Sequence, residues 1–323
     1  MLDGRPDAVI FRATHFKVPV TSTPVVLLIY RRPDLTRQIV ERVAAARPSL
    51  LLVVADGPRS DAEVELCAEA RRVVERVKWP AEVIWNASDV NLGLRKRVSS
   101  GLDWAFSLVE RAIILEDDCL PEVSFFPYCE AMLDRYRDDL RVMQIAGSSL
   151  TPHVLPDGSS YYFSKHFHPW GWATWRRAWG HYDEAISSWP DLKRRSALSF
   201  DSWVEKRFWS TVFDRLHDRQ LDTWDYQWFF AMLTQKGLST VPSVNLVANI
   251  GFGPGGTHYH QDHHFGAIPV GSIDSIVHPR FVIRDIGADR DEFRAAGPPL
   301  LRLARVELGR LRHRMRSRSV DPR

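Results

Sequence analysis

The sequence is poor in cysteine, has no long apolar run and carries no glycine-rich nucleotide loop, and each of these absences removes a class of protein. Cys67, Cys119 and Cys129 make neither an even framework nor a Cys-x-x-Cys pair. That excludes a disulfide scaffold, argues against a structural zinc site and fits a reducing compartment. No stretch of about 18 consecutive apolar residues exists to cross a bilayer. The first twenty residues, with Asp3, Arg5, Asp7, Arg12 and Lys17 spread through them, lack the apolar core of a secretory leader, so the expectation is a cytoplasmic protein. A P-loop is missing, and so is a GxGxxG after the first strand-like segment, which disfavours nicotinamide and methyl-donor Rossmann enzymes. Internal repeats and low-complexity segments are absent too.

A strong charge of either sign is also lacking. The net charge is +3, but residues 301 to 323 hold eight arginines against Glu307 and Asp321, a local +6 that leaves −3 for the rest. No nucleic-acid partner is expected of so slightly acidic a body. The basic stretch has Leu301, Leu303, Val306, Leu308 and Leu311 scattered through it. Two readings stand for it: a segment lying on an anionic membrane surface at the inner face, or a solvated, partly helical terminus.

What is present is an ordinary globular composition, 45% apolar and 26% charged over 323 residues. "PVVLLIY" (24 to 30), "LLLVVADG" (50 to 57), "AEVIWN" (81 to 86) and "AIIL" (112 to 115) read as strands. The first of these is apolar throughout, as a strand covered on both faces must be. Between them lie helix-like segments: "RRPDLTRQIVERVAAA", a charged run from about Asp61 to Val77, and "RVSSGLDWAFSLVERA". Repeating β-α units predict a mostly parallel sheet flanked by helices, with ligands at the carboxyl ends of the strands. Four regions are expected: an extension over 1–20, an α/β half over 21–150, a Trp-rich half over 151–285, and a basic tail over 286–323.

The segment "AIILEDDCLP" closes an apolar strand with Glu116, Asp117 and Asp118. Adjacent carboxylates repel one another and lose hydration in a site, so a positive group is expected beside them. Oxygen ligands on a loop after a strand suit Mg²⁺ or Mn²⁺ and a diphosphate; an exposed turn with a capping aspartate is the plainer alternative. A receiver domain would be far shorter than this chain. A sugar-nucleotide pyrophosphorylase normally has a glycine-rich basic loop where this chain reads "YRRPDLTR".

In order along the chain come "LLIYRRP", "VVADG", "NLGLRKRVSSGLDWAF", "IILEDDCLPEVSFFPYC", "WGWATW", "WDYQW" and "NIGFGPGGTH". In this ordered set the chain resembles the GT-A glycosyltransferases, and is similar to the N-acetylglucosaminyltransferase that starts complex N-glycans and its bacterial relatives, from about Pro24 to Tyr259. The resemblance implies a GT-A fold and a metal-dependent, inverting transferase that uses a nucleoside-diphosphate sugar, with UDP as the expected nucleotide. It implies that Asp118 ligates the metal, while Asp117 and Glu116 contact the ribose or donor sugar. Arg32 and Asp56 match positions that hold uracil and phosphate. Asn91 and Gly93 shape a tight turn, after which one or more of Arg95, Lys96 and Arg97 faces the donor.

Inverting transfer needs one carboxylate to take the acceptor proton. "LDTWDYQWFF" offers Asp222 and Asp225, and the family carries its base in a Trp-Asp pair followed by a helix, which selects Asp225; a first-turn helix acid is the alternative. Trp172, Trp175 and Trp179 stand at i, i+3 and i+7, the spacing of a buried helix face, whereas Trp170 beside Pro169 and Gly171 is the better ligand candidate. The glycines of "GFGPGGTHYHQDHH" permit a closing loop, and the resemblance implies that His258 completes the metal shell or touches diphosphate, as late histidines do in some relatives; a surface histidine is the alternative. The expected activity is transfer of a hexosyl or N-acetylhexosaminyl group to a hydroxyl of a glycan, lipid-linked saccharide or protein, as in polysaccharide biosynthesis. A degenerate GT-A domain that binds nucleotide or glycan without turnover is the alternative.

Overall fold

The computed structural model describes residues 21–151, 155–252 and 268–296. Its framework is an eight-stranded sheet in the order β3-β2-β1-β4-β8-β6-β9-β7. These strands are β1 (Val25–Ile29), β2 (Leu50–Ala55), β3 (Glu82–Ala87), β4 (Arg111–Glu116), β6 (Val142–Ala146), β7 (Tyr161–Ser164), β8 (Trp172–Trp175) and β9 (Leu238–Pro242). Pairing is parallel at β3–β2, β2–β1, β1–β4 and β6–β9, and antiparallel at β4–β8, β8–β6 and β9–β7. The short β5 (Cys119–Pro121) and β10 (Val247–Asn249) pair antiparallel as a separate ribbon.

Helices cover both faces, which is why β1 is buried at every position. On one face lie α1 (Pro33–Ala46), α2 (Asp61–Glu75) and α4 (Phe125–Arg135). On the other lie α3 (Leu94–Leu108), α5 (Arg176–Trp179) and α8 (Asp225–Gln235). Pro33 starts α1 with a preset φ, so the chain turns from strand to helix at Arg32. Gly101 lets α3 lie against β2: a Cβ there would sit 2.4 Å from Val54 Cγ1. The two halves expected from sequence, 21–150 and 151–285, thus contribute strands to one sheet.

The tryptophan-rich segment differs from its expected helix. Trp172 and Trp175 belong to β8, wedged between β4 and β6, and point to opposite faces of the sheet; only Trp179 is helical, in α5. Gly171, at φ +60, lets the chain enter the strand, and "WATW" is rich in residues that suit a pleated surface. All three indoles are buried, as core packing requires.

Residues 286–296, placed in the tail by sequence, form α9 (Ile286–Ala296), with Ala288, Asp289 and Glu292 buried. A charged network fixes this helix and α7 (Trp203–His217). Lys165 Nζ lies 2.9 Å from Asp201 Oδ2 and 2.5 Å from Glu205 Oε1, while Arg284 pairs with Asp201 and Asp289. Burial opposes ionisation of Asp201, but Arg284 and Lys165 overcome it and hold the carboxyl at about 2. Its stabilisation is therefore complete above its unfolded value near about 4 and is lost as the pH falls through about 2. Lys165→Met, which strands Glu205, is expected to cost about 3 kcal/mol in urea unfolding.

Candidate functional site

The carboxyl ends of β1, β2 and β4 open into a cavity of about 770 Å³, bounded on its far side by α7, α8 and α9. It is lined by Arg32, Asp56, Arg97, Glu116, Asp117, Asp118 and Asp225 among the residues expected from sequence, and by Trp170. Lys96 and Asn91 do not line it. Lys96 is largely exposed, 3.8 Å from Glu184. His258 lies outside the described residues.

The acids stand at the end of β4, where the apolar run stops at Glu116. Tyr30 N donates to Asp117 Oδ2 at 3.0 Å, and Arg32 Nη1 donates to Asp118 Oδ2 at 2.7 Å while lying 3.8 Å from Asp117 Oδ1. Burial lifts the Glu116 carboxyl well above its ordinary value, and the neighbouring Asp118, Asp117 and Asp225 push it further against the pull of Arg32. Asp117 is raised to about 7, by burial and then by Asp118, with Arg32 and the Tyr30 amide opposing. Burial works against the charge on Arg32, but Asp117 and Asp118 outweigh it and hold the guanidinium above its usual value. The Arg32 guanidinium therefore faces three neighbouring carboxyls, Asp117, Asp118 and Glu116. The ribbon passes directly over Asp118: Ile250 N donates to its carbonyl at 2.8 Å, and a Cβ at Gly251 would lie 2.2 Å from Oδ2 and 2.9 Å from the Asp118 Cβ. Among the described residues no group of three or more histidine, cysteine or carboxylate side chains is arranged to hold a metal ion.

Asp56, at the end of β2, is bound to the following loop. Its Oδ1 accepts from Gly57 N and Leu92 N, each at 2.9 Å, and its Oδ2 accepts from Asn91 Nδ2 at 3.0 Å. Asn91 also donates to Gly57 O, so the turn before α3 is tied to the strand end rather than offered to the cavity. Gly93, at φ +79, then starts α3. This directs Arg97 inward, where Nη2 donates to Asn86 Oδ1 at 2.7 Å. Burial lowers the Arg97 pKa, with Asp56 opposing. Arg95 instead lies 3.9 Å from Asp222 and 3.8 Å from Glu184.

Asp225 begins α8. Its carboxylate accepts from the Thr223 hydroxyl and, at 2.9 Å, from Tyr226 N. The helix start is held by aromatic rings: Trp224 stacks on Trp172 with centroids 5.6 Å apart, and Trp228 lies 5.6 Å from Trp172 and 5.5 Å from Trp179. Two of the three tryptophans that sequence assigns to core packing, Trp172 and Trp179, thus form the platform beneath the candidate base with Trp224 and Trp228. Asp222, the other acid of the segment, lines the cavity but is mostly exposed.

Sequence reasoning missed several lining residues. Arg59, which follows Asp56 in "DGPRS", stands 5.8 Å from the Tyr30 ring centroid; a strand-end aspartate followed by a basic residue was the available signal. His166, Phe208, Trp209, Glu292 and Phe293 line the opposite end, and no local pattern marks them.

No family model and no curated protein matches this chain. Among solved structures it is similar to 4-diphosphocytidyl-2C-methyl-D-erythritol synthase from Anaerococcus prevotii DSM 20548, at 6% identity over 67% of this chain and 100% of that one, with a TM-score of 0.29. It is also similar to a UDP-glucose pyrophosphorylase complexed with UDP-glucose, at 9% identity over 68% of this chain and 91% of that one, with a TM-score of 0.31. Neither likeness bears on the reaction. No helix among the described residues is long and apolar enough to cross a membrane.

Proposed function

We propose that the chain is an inverting, metal-dependent glycosyltransferase of GT-A type that moves a sugar from a nucleoside-diphosphate sugar, with UDP as the nucleotide, to a hydroxyl of a glycan, lipid-linked saccharide or protein. The observation that carries this reading is the joint lining of one cavity by Arg32, Asp56, Asp118 and Asp225, close enough that Asp118 and Asp225 both act on Glu116. Nucleotide-side groups and a candidate base are thereby in one enclosure. The basic Arg32, Arg59 and Arg97 suit a diphosphate.

The donor set fits an ion shared with substrate rather than a cage made by protein alone. Mg²⁺ and Mn²⁺ are commonly held by one or two carboxylates together with phosphate oxygens and waters. Asp118 is the carboxylate that would hold it here. When bound, the ion supplies positive charge that offsets the departing diphosphate. The remaining work falls to side chains: Asp225 takes the acceptor proton as the hydroxyl oxygen attacks the anomeric carbon opposite the leaving group, and the aromatic walls keep out water, the competing nucleophile.

The ion pair of Arg32 with Asp118 favours a second reading, in which the guanidinium takes the ion's place and the donor binds without metal. UDP at about 100 times its Kd contributes about 2.7 kcal/mol, or about 5 °C in melting temperature for a chain of this size. The expected result is such a shift with Mn²⁺ and its loss on chelation, together with Mn²⁺-dependent release of UDP from at least one common UDP-sugar. A shift that survives chelation favours the metal-free reading, and binding without release favours a nucleotide-binding module.

A further inference from the structure

The acid cluster and Asp56 belong to one half of the sheet, following β4 and β2, whereas His166 follows β7 at the opposite edge and Glu292 lies on α9, packed beside it. Both groups nevertheless line the same cavity. The two ends meet near Asp225, whose neighbour Tyr226 has its ring 5.5 Å from Trp209.

The β7 end is built unlike a core. Glu292 and His166 are each about 5% exposed, and Glu292 Oε2 and His166 Nε2 have no hydrogen-bond partner among the described residues. His168 Nε2 lies 3.4 Å from Glu292 Oε2 without making a hydrogen bond. An unsatisfied buried polar group costs roughly 1–3 kcal/mol, and Glu292 and His166 are two residues of one cavity wall that carry such an atom. Beside them, the rings of Phe208 and Phe293 meet edge to face at 5.9 Å, and both are only partly buried. Burial, and then Asp289, raises the Glu292 carboxyl well above its ordinary value. Burial holds His166 at about 3, helped by Lys165 and Arg284, and holds His168 at about 3, helped by His166. Burial therefore disfavours charge on Glu292 and on His166 alike. Such a wall suits neutral hydroxyls and not a phosphate.

We propose that this end of the cavity is the acceptor subsite, which takes a neutral pyranose whose hydroxyls bond to Glu292 and His166 and whose C–H face packs on Phe208 and Phe293. Aromatic faces beside a few fixed polar atoms are the pattern that binds a sugar ring. The assignment rests on the transferase reading above, and it separates the roles of the two ends of the cavity: charged groups for the nucleotide, neutral ones for the acceptor.

The test uses the full chain and the methyl pyranosides of glucose, galactose, mannose and N-acetylglucosamine, read by saturation-transfer NMR with and without UDP and Mn²⁺. At least one glycoside is expected to bind and to remain bound when UDP is added. Its affinity should fall at least tenfold in Glu292→Leu and in Phe208→Ala, and recover toward wild type in Glu292→Gln, whose neutral amide keeps an acceptor in place. The UDP-induced thermal shift in the same variants checks the fold and the nucleotide end. Silence from all four glycosides, displacement by UDP, or unchanged affinity in both variants overturns the proposal. The displacement arm uses wild-type protein, so it decides even if a variant fails to fold. Failure of UDP to bind would count against the transferase reading alone, because glycoside binding is read independently of it.

Discussion

Asp225→Asn is expected to lower the rate of UDP release from the donor by a factor of about 10³, while UDP affinity in the presence of Mn²⁺ stays within about twofold of wild type. The amide has the shape of the carboxylate and can still accept from the Thr223 hydroxyl and Tyr226 N, so the start of α8 keeps its local bonds. The indole platform of Trp172, Trp224 and Trp228 is untouched. What is lost is the ability to take a proton in the transition state, which affects turnover and not ground-state binding of the nucleotide. Asp222→Asn is the control. Asp222 is mostly exposed and stands 3.9 Å from Arg95, and its amide variant should keep the rate within about threefold. Single-turnover release of UDP measures both. A full rate in Asp225→Asn would remove this residue as the base and return the role to Asp222 or to another lining carboxyl.

The first half of the fold was legible because its strands are continuous apolar runs and its helices are amphipathic, so segment type follows from period alone. The strand expected at 112–115 became β4 (Arg111–Glu116), and the helix expected from about Asp61 ends at Glu75. The acids were legible for the same reason, since a run of carboxylates directly after a buried strand has few plain explanations. The tryptophans were not. Positions i, i+3 and i+7 describe one helix face, but they equally fit two ends of a four-residue strand plus one helical turn, and the choice is made by the exposed edges of β4 and β6, far away in sequence. Nor could α9 be read from composition. Its buried Asp289 and Glu292 look like solvent-facing acids until Arg284, Lys165 and the edge strand β7 are brought against them. Arg97 shows the same limit on a smaller scale. Three consecutive basic residues gave no preference, and the turn bound by Asp56 and Asn91 decides which of them faces inward.

Asp118→Ala is expected to weaken Mn²⁺-dependent UDP binding by at least about 100-fold, equivalent to about 2.7 kcal/mol, with the melting temperature of the free protein little changed. The two halves of this expectation have different causes. Binding falls because the remaining carboxyls stay less able to hold an ion: burial, the largest cause of the raised values of Asp117 and Glu116, persists without Asp118. Stability holds because Asp118 is a source of repulsion as well as attraction. It pushes both neighbours toward their neutral forms, and its loss relieves that strain while Arg32 keeps Asp117 Oδ1 within 3.8 Å. The backbone contact that seats the β10 ribbon, Ile250 N to the Asp118 carbonyl, does not depend on the side chain. Isothermal titration with UDP and Mn²⁺, paired with a thermal melt, separates the two effects. Unchanged metal-dependent affinity in a folded Asp118→Ala protein would move the ion elsewhere and leave Arg32 with Asp118 as a purely structural pair. Lost affinity together with a lowered melting temperature would instead mean that the acid holds the cavity together rather than the ligand.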